Sequence, residues 1–325
     1  MRDAFGKFQA QGIELYTISY DDQSVLSEFS AKQDIPFRLL SDIDSDVIRR
    51  YGILNDQVGR EDAFLEGIPY PGVYVTDEDG VVVAKFFHDT YKKRDSPEMF
   101  IDAALGRLEN SDEEERARGG DQEVEISVSV HGGKGTIRQG ILRQLVVHCE
   151  LQEGFHLYGE PAPSGLVPTE VRVSGPPGLV VEEPIFPPSK ILRLESMGVD
   201  LAVWAGSLDI LVPFYAIGEL ASETRPLDGD SVELDVEIRY QACSDVACSL
   251  PKTEKLKLDL NLDVIDVPDL GIHRGHGQRE GNFRGARHMA RLVFRKLRKN
   301  PLGLPRLMLK TIKLEMAAKR RNRSD

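Results

Sequence analysis

The sequence predicts an α/β region, then an all-β sandwich, then a basic helical tail. Three observations predict it. The first hundred residues alternate short apolar strands with helix-period segments. From residue 124 the apolar period changes to two and stays there. The charge is divided: residues 272–325 hold 16 Lys and Arg against 3 Asp and Glu, which leaves 25 basic and 50 acidic residues, of 41 and 53 in all, to residues 1–271. A length of 325 residues suits about two domains, and 41% hydrophobic residues are enough for packed cores. No apolar run reaches the roughly 18 residues of a membrane-spanning helix. Three cysteines are too few for a disulfide-built scaffold.

In the first region, residues 13–19 (IELYTIS) read as a buried strand. Asp21 and Asp22 open a helix whose apolar stripe is Val25, Leu26 and Phe29. Residues 36–40 are a second strand, and residues 45–51 a short helix carrying Val47 and Ile48. Residues 73–76 and 81–87, around Asp77-Glu78-Asp79-Gly80, read as a hairpin. Pro97 suits the first position of a last helix packing through Phe100, Ile101, Ala104, Leu105 and Leu108. Asp42, Asp44 and Asp46 start like a calcium loop, but Val47 stands where Gly is needed and Ile53 where Glu is needed, so a helix-entry cluster is the better reading. His88 beside Asp89 has no nucleophile near it in sequence and reads as a strand end.

The stretches GIELYTISYDD, FRLLSDIDSDVIRRYGI and PYPGVYVTDEDGVVV resemble the redoxin (AhpC/TSA, peroxiredoxin-like) family over residues 1–108. The resemblance implies an incomplete thioredoxin-like domain. In that family the nucleophilic cysteine follows the first central strand, yet residues 1–148 contain no Cys, so peroxidase activity is not expected of the chain as given. Where peroxiredoxins carry an arginine before the hairpin strand, Pro71 stands here, and it resembles the cis-proline of thioredoxin-type reductases. The lack of a central strand before Ile13 implies that Met1 is not the natural start of this unit. MRDAFGKFQAQG holds no apolar export segment, which implies the cytoplasm by default, or the periplasm if the start is truncated.

Residues 109–125 contain eight acidic side chains and Gly119-Gly120, and residues 109–123 read as a solvated linker. Strict alternation follows in Val124, Ile126, Val128 and Val130, and in Leu145, Val147, Cys149 and Leu151. It recurs in Val232, Leu234, Val236, Ile238 and Tyr240, and in Leu256, Leu258, Leu260, Leu262 and Val264. The sum is a sandwich over residues 124–267, punctuated by Pro and Gly clusters. His131-Gly132-Gly133-Lys134-Gly135 lacks the spacing of a phosphate loop and reads as a turn.

Cys149 sits on the apolar phase of its strand and reads as a small buried hydrophobe. Cys243 and Cys248 lie in YQACSDVACSLP, between the two most amphipathic strands. Paired flanking strands bring the ends of this connection together, so a disulfide is geometrically open to them. A structural bridge over so short a loop stabilises little. Two free thiols, and a metal site completed by His148 and His156, are the other readings. Cys243 falls out of phase with the apolar positions and is expected to face the loop.

GFHLYGEPAPSGLVPTEV (154–171), EEPIFPPSK (182–190), VPFYA (212–216) and above all IRYQACSDVACSLP (238–251) resemble the amino-terminal domain of DsbD, the thiol–disulfide interchange protein, and its disulfide bond corrector relatives. The resemblance implies an immunoglobulin-like sandwich in which Cys243 and Cys248 exchange electrons with a thioredoxin-like or DsbD-like redox protein, without a cofactor or metal. It also implies Tyr240 and Asp245 as tuning neighbours of the pair, with residues 155–159 and Phe214-Tyr215 as the candidates for a cap over it. The alternative is a non-catalytic interaction module with a structural disulfide and a relic redoxin half. In the tail, residues 268–325, Ala286, Met289, Val293 and Leu297 form a helical stripe opposite Arg287, Arg291, Arg295 and Arg298. Such a helix suits an anionic membrane surface or the protein's own acidic body, and no nucleic-acid motif accompanies it.

Overall fold

The computed structural model describes residues 1–58, 67–88, 92–109, 116–194, 199–218, 220, 231–244 and 246–262, with positions 290, 294, 297, 298, 301 and 309 of the tail. Most of the tail expected to be helical, together with Asp89 and Asp245, therefore lies outside the described residues. The chain divides into two compact units, Met1–Asp112 and Glu113–Asp325.

The first unit is an α/β region. Its elements are α1 (Phe5–Ala10), β1 (Tyr16–Ser19), α2 (Gln23–Gln33), β2 (Arg38–Ser41), α3 (Asp46–Arg50), β3 (Gly72–Thr76), β4 (Val82–Phe87), β5 (Arg94–Asp95) and α4 (Pro97–Leu105). β1 and β2 are parallel, with Tyr16 opposite Arg38 and Ser19 opposite Ser41. Asp22 caps α2 by accepting from the Ser24 amide at 2.7 Å. The Asp42 carboxylate accepts from the amides of Asp46 (3.0 Å) and Ile48 (2.8 Å), so this aspartate serves helix entry. β3 and β4 form the expected hairpin, closed by the Val81 amide on the Asp77 carboxylate at 2.8 Å. Pro97 opens α4 and Gly106 closes it in the left-handed conformation. Phe8, Val75, Phe100 and Ile101 form the core, with Phe86 edge-on to Phe100.

The expectation of a buried first strand does not hold. Residues 13–19 are not a buried strand, because Tyr16 and Ile18 are exposed, and Val25 and Phe29 on α2 are exposed with them. β1 pairs with β2 alone, and a two-stranded sheet cannot cover both of its faces.

The second unit is a β-rich sandwich. Its strands are β6 (Arg116–Gly120), β7 (Val124–His131), β8 (Thr136–Ile137), β9 (Ile141–Leu151), β10 (Phe155–Tyr158), β11 (Glu170–Ser174), β12 (Leu179–Val181), β13 (Lys190–Leu194), β14 (Val199–Ala205), β15 (Ser207–Ala216), β16 (Ser231–Tyr240), β17 (Ala242–Ser244) and β18 (Lys252–Leu262). One sheet runs β12-β15-β9-β7-β6, a second β11-β16-β18-β8 and a third β13-β14-β10-β17. The alternating residues do what their period requires: Ile126, Val128, Leu145, Val147, Leu234, Val236, Ile238 and Leu258 all bury in one core. The wet face of β16 and β18 carries cross-strand charge pairs such as Lys257 with Glu233 and Lys255 with Glu237. Exposed pairs of this kind contribute about 0–1 kcal/mol each.

The acidic stretch is not wholly a solvated linker. Residues 116–120 form β6, antiparallel to β7. The turn is built by Asp121, whose carboxylate accepts from the Glu123 amide at 2.8 Å and whose own amide donates to the Val124 carbonyl at 2.9 Å. Gly120 enters it at φ 91°, and a Cβ there would lie 2.1 Å from the Val124 carbonyl oxygen. Gly120→Ala is therefore expected to lose at least ~1 kcal/mol in chemical denaturation, with early amide exchange in β6. Unchanged stability would show that the hairpin does not depend on this glycine.

Candidate functional site

The cysteine loop begins where the chain changes sheets. β16 ends at Tyr240 in one sheet, and β17 starts at Ala242 in another, paired antiparallel to β10 with His156 opposite Cys243. The crossing resets the in–out alternation, so Tyr240, Gln241, Ala242 and Cys243 are all buried in succession. Cys243 does not face the loop, as its phase in β16 had implied. It packs in a small cluster with Tyr158, Leu201 and Val203, flanked by Leu166 and Leu192.

A tight turn then brings the chain back. The Ser244 amide donates to the Ala247 carbonyl at 2.8 Å, and its hydroxyl oxygen accepts from the amides of Val246 and Ala247. The Ser249 amide donates to the Ala242 carbonyl at 2.9 Å. Cys243 and Cys248 consequently face each other with Cα atoms 4.0 Å apart and are joined as a disulfide. Cys248 is exposed, as are Val246 and Leu250 on either side of it.

Polar contacts hold this loop from beneath. The Gln241 carboxamide is buried and used at both ends: its oxygen accepts from the Val167 amide at 2.9 Å, and its nitrogen donates to the Ser249 carbonyl at 3.0 Å. The Ser249 hydroxyl donates to Glu123 at 2.7 Å, and Lys252 donates to the other oxygen of that carboxylate at 2.9 Å. These two bonds, Ser249 first, hold the Glu123 carboxyl below its usual range.

Next to the exposed sulfur stands Tyr158, its hydroxyl 3.7 Å from Cys248 Sγ and 3.2 Å from His156 Nε2. Burial raises the Tyr158 pKa, so the group is a phenol with a proton to give. Segment 155–159, named from sequence as a cap candidate, thus touches the pair. Phe214 does not share this cluster; it belongs to the large core. Tyr240 also belongs to the large core, where burial raises its pKa, with the Asp121 and Glu254 carboxylates adding to the effect. Its hydroxyl has no hydrogen-bond partner among the described residues. Its place as a tuning neighbour of the pair finds no contact among the described residues. Sequence reasoning passed over Gln241 and Tyr158 as chemistry and named His156 only as a metal ligand, although all three lie in the quoted stretches.

Cys149 is buried in the large core, opposite Ile126 and Leu208, as its strand phase predicts. Burial, with the Asp209 carboxylate adding to it, pushes its thiol up to about 12. His148 engages Asp209 at 2.7 Å. In the first unit the Tyr70–Pro71 bond is trans, because Glu160–Pro161 is the cis bond found among the described residues. The Tyr70 amide donates to the Ile53 carbonyl at 2.7 Å and Leu54 bridges Pro69, an extended pairing that runs into β3. Pro71 therefore does not have the cis geometry expected of it.

The AhpC/TSA family matches residues 1–85, and the family described as "Thiol:disulfide interchange protein DsbD, N-terminal" matches residues 134–260. The chain thus joins a segment that matches the AhpC/TSA family to one that matches the DsbD N-terminal family. The first is similar to chloroplastic peroxiredoxin Q of Suaeda salsa, 33% identical over 109 residues, which is 34% of this chain and 45% of the relative. The chain thus spans about half the length of the curated relatives it matches. The DsbD-type part is similar to the N-terminal periplasmic domain of ScsB from Proteus mirabilis, at 14% identity and a TM-score of 0.32 over 46% of this chain and 52% of that one. It is also similar to the complex between the DsbD N-terminal and PilB N-terminal domains from Neisseria meningitidis, at 11% identity and a TM-score of 0.24 over 46% and 85%.

Reactivity follows exposure and thiolate fraction. After reduction, Cys248 of the DsbD-type domain is expected to react first with an alkylating reagent under native conditions, Cys243 more slowly, and Cys149 only on unfolding, as read by mass spectrometry. Cys149→Ser is expected to cost stability alone, ~1–3 kcal/mol if the hydroxyl finds no partner. Labelling of Cys149 ahead of Cys248 would overturn the assignment.

Proposed function

We propose that this chain is a thiol–disulfide exchange protein in which Cys248 is the attacking sulfur and Cys243 the resolving one. The observation that carries the reading is the asymmetry of the pair: one sulfur at the surface between exposed Val246 and Leu250, the other buried beneath it. Exchange needs an accessible sulfur for the incoming partner and a second one held within bonding reach. The two family matches, a redoxin segment and a DsbD-type domain, support the same chemistry.

In the reduced protein the Cys248 thiolate attacks one sulfur of a partner disulfide. A mixed disulfide forms and the other partner sulfur leaves as thiolate. Cys243, as thiolate, then attacks Cys248 Sγ, closes the Cys243–Cys248 bond and releases the second partner sulfur. Two electrons pass to the partner, and the reverse sequence reduces the pair. In our reading the partner is a thioredoxin-like protein. The α/β unit is read as thioredoxin-like and the sandwich as immunoglobulin-like. Residues 1–148 of the sequence contain no cysteine, so the exchange is assigned to the pair in the second unit.

The reading is tested by trapping. The reduced full chain with Cys243→Ser is expected to accumulate a mixed disulfide through Cys248 with an oxidised thioredoxin-like protein, seen as a gel shift lost on reduction. The Cys248→Ser chain is expected to accumulate none. A stable adduct through Cys243 in the second variant would reverse the roles, and no adduct in either would refute exchange.

A further inference from the structure

We propose that His156 is a positioning residue for Cys248, acting through the Tyr158 hydroxyl by setting which way the phenol proton points. The inference rests on the reading of Cys248 as the attacking sulfur and extends it to a residue outside the cysteine loop.

The placement comes from β10. Residues two apart on a strand share a face, so His156 and Tyr158 project together, with ring centroids 5.2 Å apart in an edge-to-face arrangement. Both are buried. On the ladders His156 stands opposite Cys243 of β17 and Ala205 of β14, and Tyr158 follows two residues along its own strand. Three polar atoms are connected in turn: His156 Nε2, then the Tyr158 oxygen at 3.2 Å, then Cys248 Sγ at 3.7 Å.

A phenol has one proton to donate. If Nε2 is bare, it accepts that proton in a hydrogen bond, and the Tyr158 oxygen offers Cys248 only lone pairs. If Nε2 carries hydrogen, it donates to the Tyr158 oxygen, and the phenol proton turns to the sulfur. A thiolate accepts such a bond strongly because the acceptor is charged. An N–H at Nε2 therefore favours the thiolate form of Cys248, the form that attacks and the form that leaves. His156 transfers no proton in this scheme and touches no partner.

The experiment uses the full chain with Cys243→Ser, which keeps Cys248 free while Cys149 stays buried. The readouts are the alkylation rate of Cys248 and the ultraviolet absorbance of its thiolate, at one neutral pH. His156→Phe and Tyr158→Phe are each expected to slow alkylation by about tenfold or more, as for the loss of one hydrogen bond to a charged acceptor. The double variant should be no slower than Tyr158→Phe alone, since the histidine acts only through the phenol. His156→Gln, which keeps an N–H donor, should stay within about twofold of the parent.

An unchanged rate in His156→Phe, a full additional loss in the double variant, or equal losses in the Gln and Phe variants would overturn the proposal. Tyr158→Phe removes one oxygen and keeps the ring, so it provides the test even where His156→Phe folds poorly. Mixed-disulfide formation in the chain with both His156 and Tyr158 intact separates the two ideas. Trapping with unmoved alkylation rates sinks the histidine's role and leaves exchange standing. Shifted rates without trapping sink exchange and leave the histidine's effect on the sulfur.

Discussion

The chain leaves one sheet of the sandwich at Tyr240 and enters another at Ala242, and Gln241 makes the crossing with its carboxamide bonded to Val167 on one side and Ser249 on the other. A buried amide left unsatisfied costs ~1–3 kcal/mol, so the crossing and the loop it supports are stable only together. Everything distinctive about the cysteine pair follows from this geometry. Because the chain crosses, Cys243 joins the sheet that holds β10 and is buried there. Because the return turn is tied at Ser244 and Ser249, Cys248 comes back above it at the surface. One disulfide thus joins a sulfur that a partner can reach to one that it cannot.

Tyr158 and His156 belong to the same construction. β10 is the strand that β17 joins, so the residues flanking the sulfurs come from the far side of the sheet change rather than from the loop's own sequence. That is why the chemistry near the pair is not readable from the residues closest to it in sequence. Tyr240, three residues before Cys243, faces the large core, whereas Tyr158, ninety residues before Cys248, touches its sulfur.

Where backbone period decides burial, the sequence is legible. The β16 and β18 patterns place Leu234, Val236, Ile238 and Leu258 in the core, and the phase of β9 places Cys149 there. The Asp77–Gly80 turn and Pro97 also mark their elements, because turn and helix-start chemistry is local. What escapes is set by pairing over distance. Residues 116–120 look like solvated linker by charge, yet β7 offers them a ladder and Gly120 lets them turn into it. Cys243 looks loop-facing because its phase was counted from β16 rather than β17. The redoxin resemblance implies a cis Pro71, whereas Ile53 and Leu54 hold the residues before it in an extended pairing. Tyr16 and Val25 look like core by composition, but exposure depends on which strands stand beside β1.

The account's central claim is that the Cys243–Cys248 couple is built to exchange rather than to staple. Its reduction potential tests this most directly, measured by equilibrating the full chain against thiol–disulfide buffers of known poise and quantifying the two states by alkylation. The account predicts a value in the range of exchange proteins, about −180 to −270 mV. A value well below about −300 mV, where structural disulfides of secreted proteins lie, would contradict it.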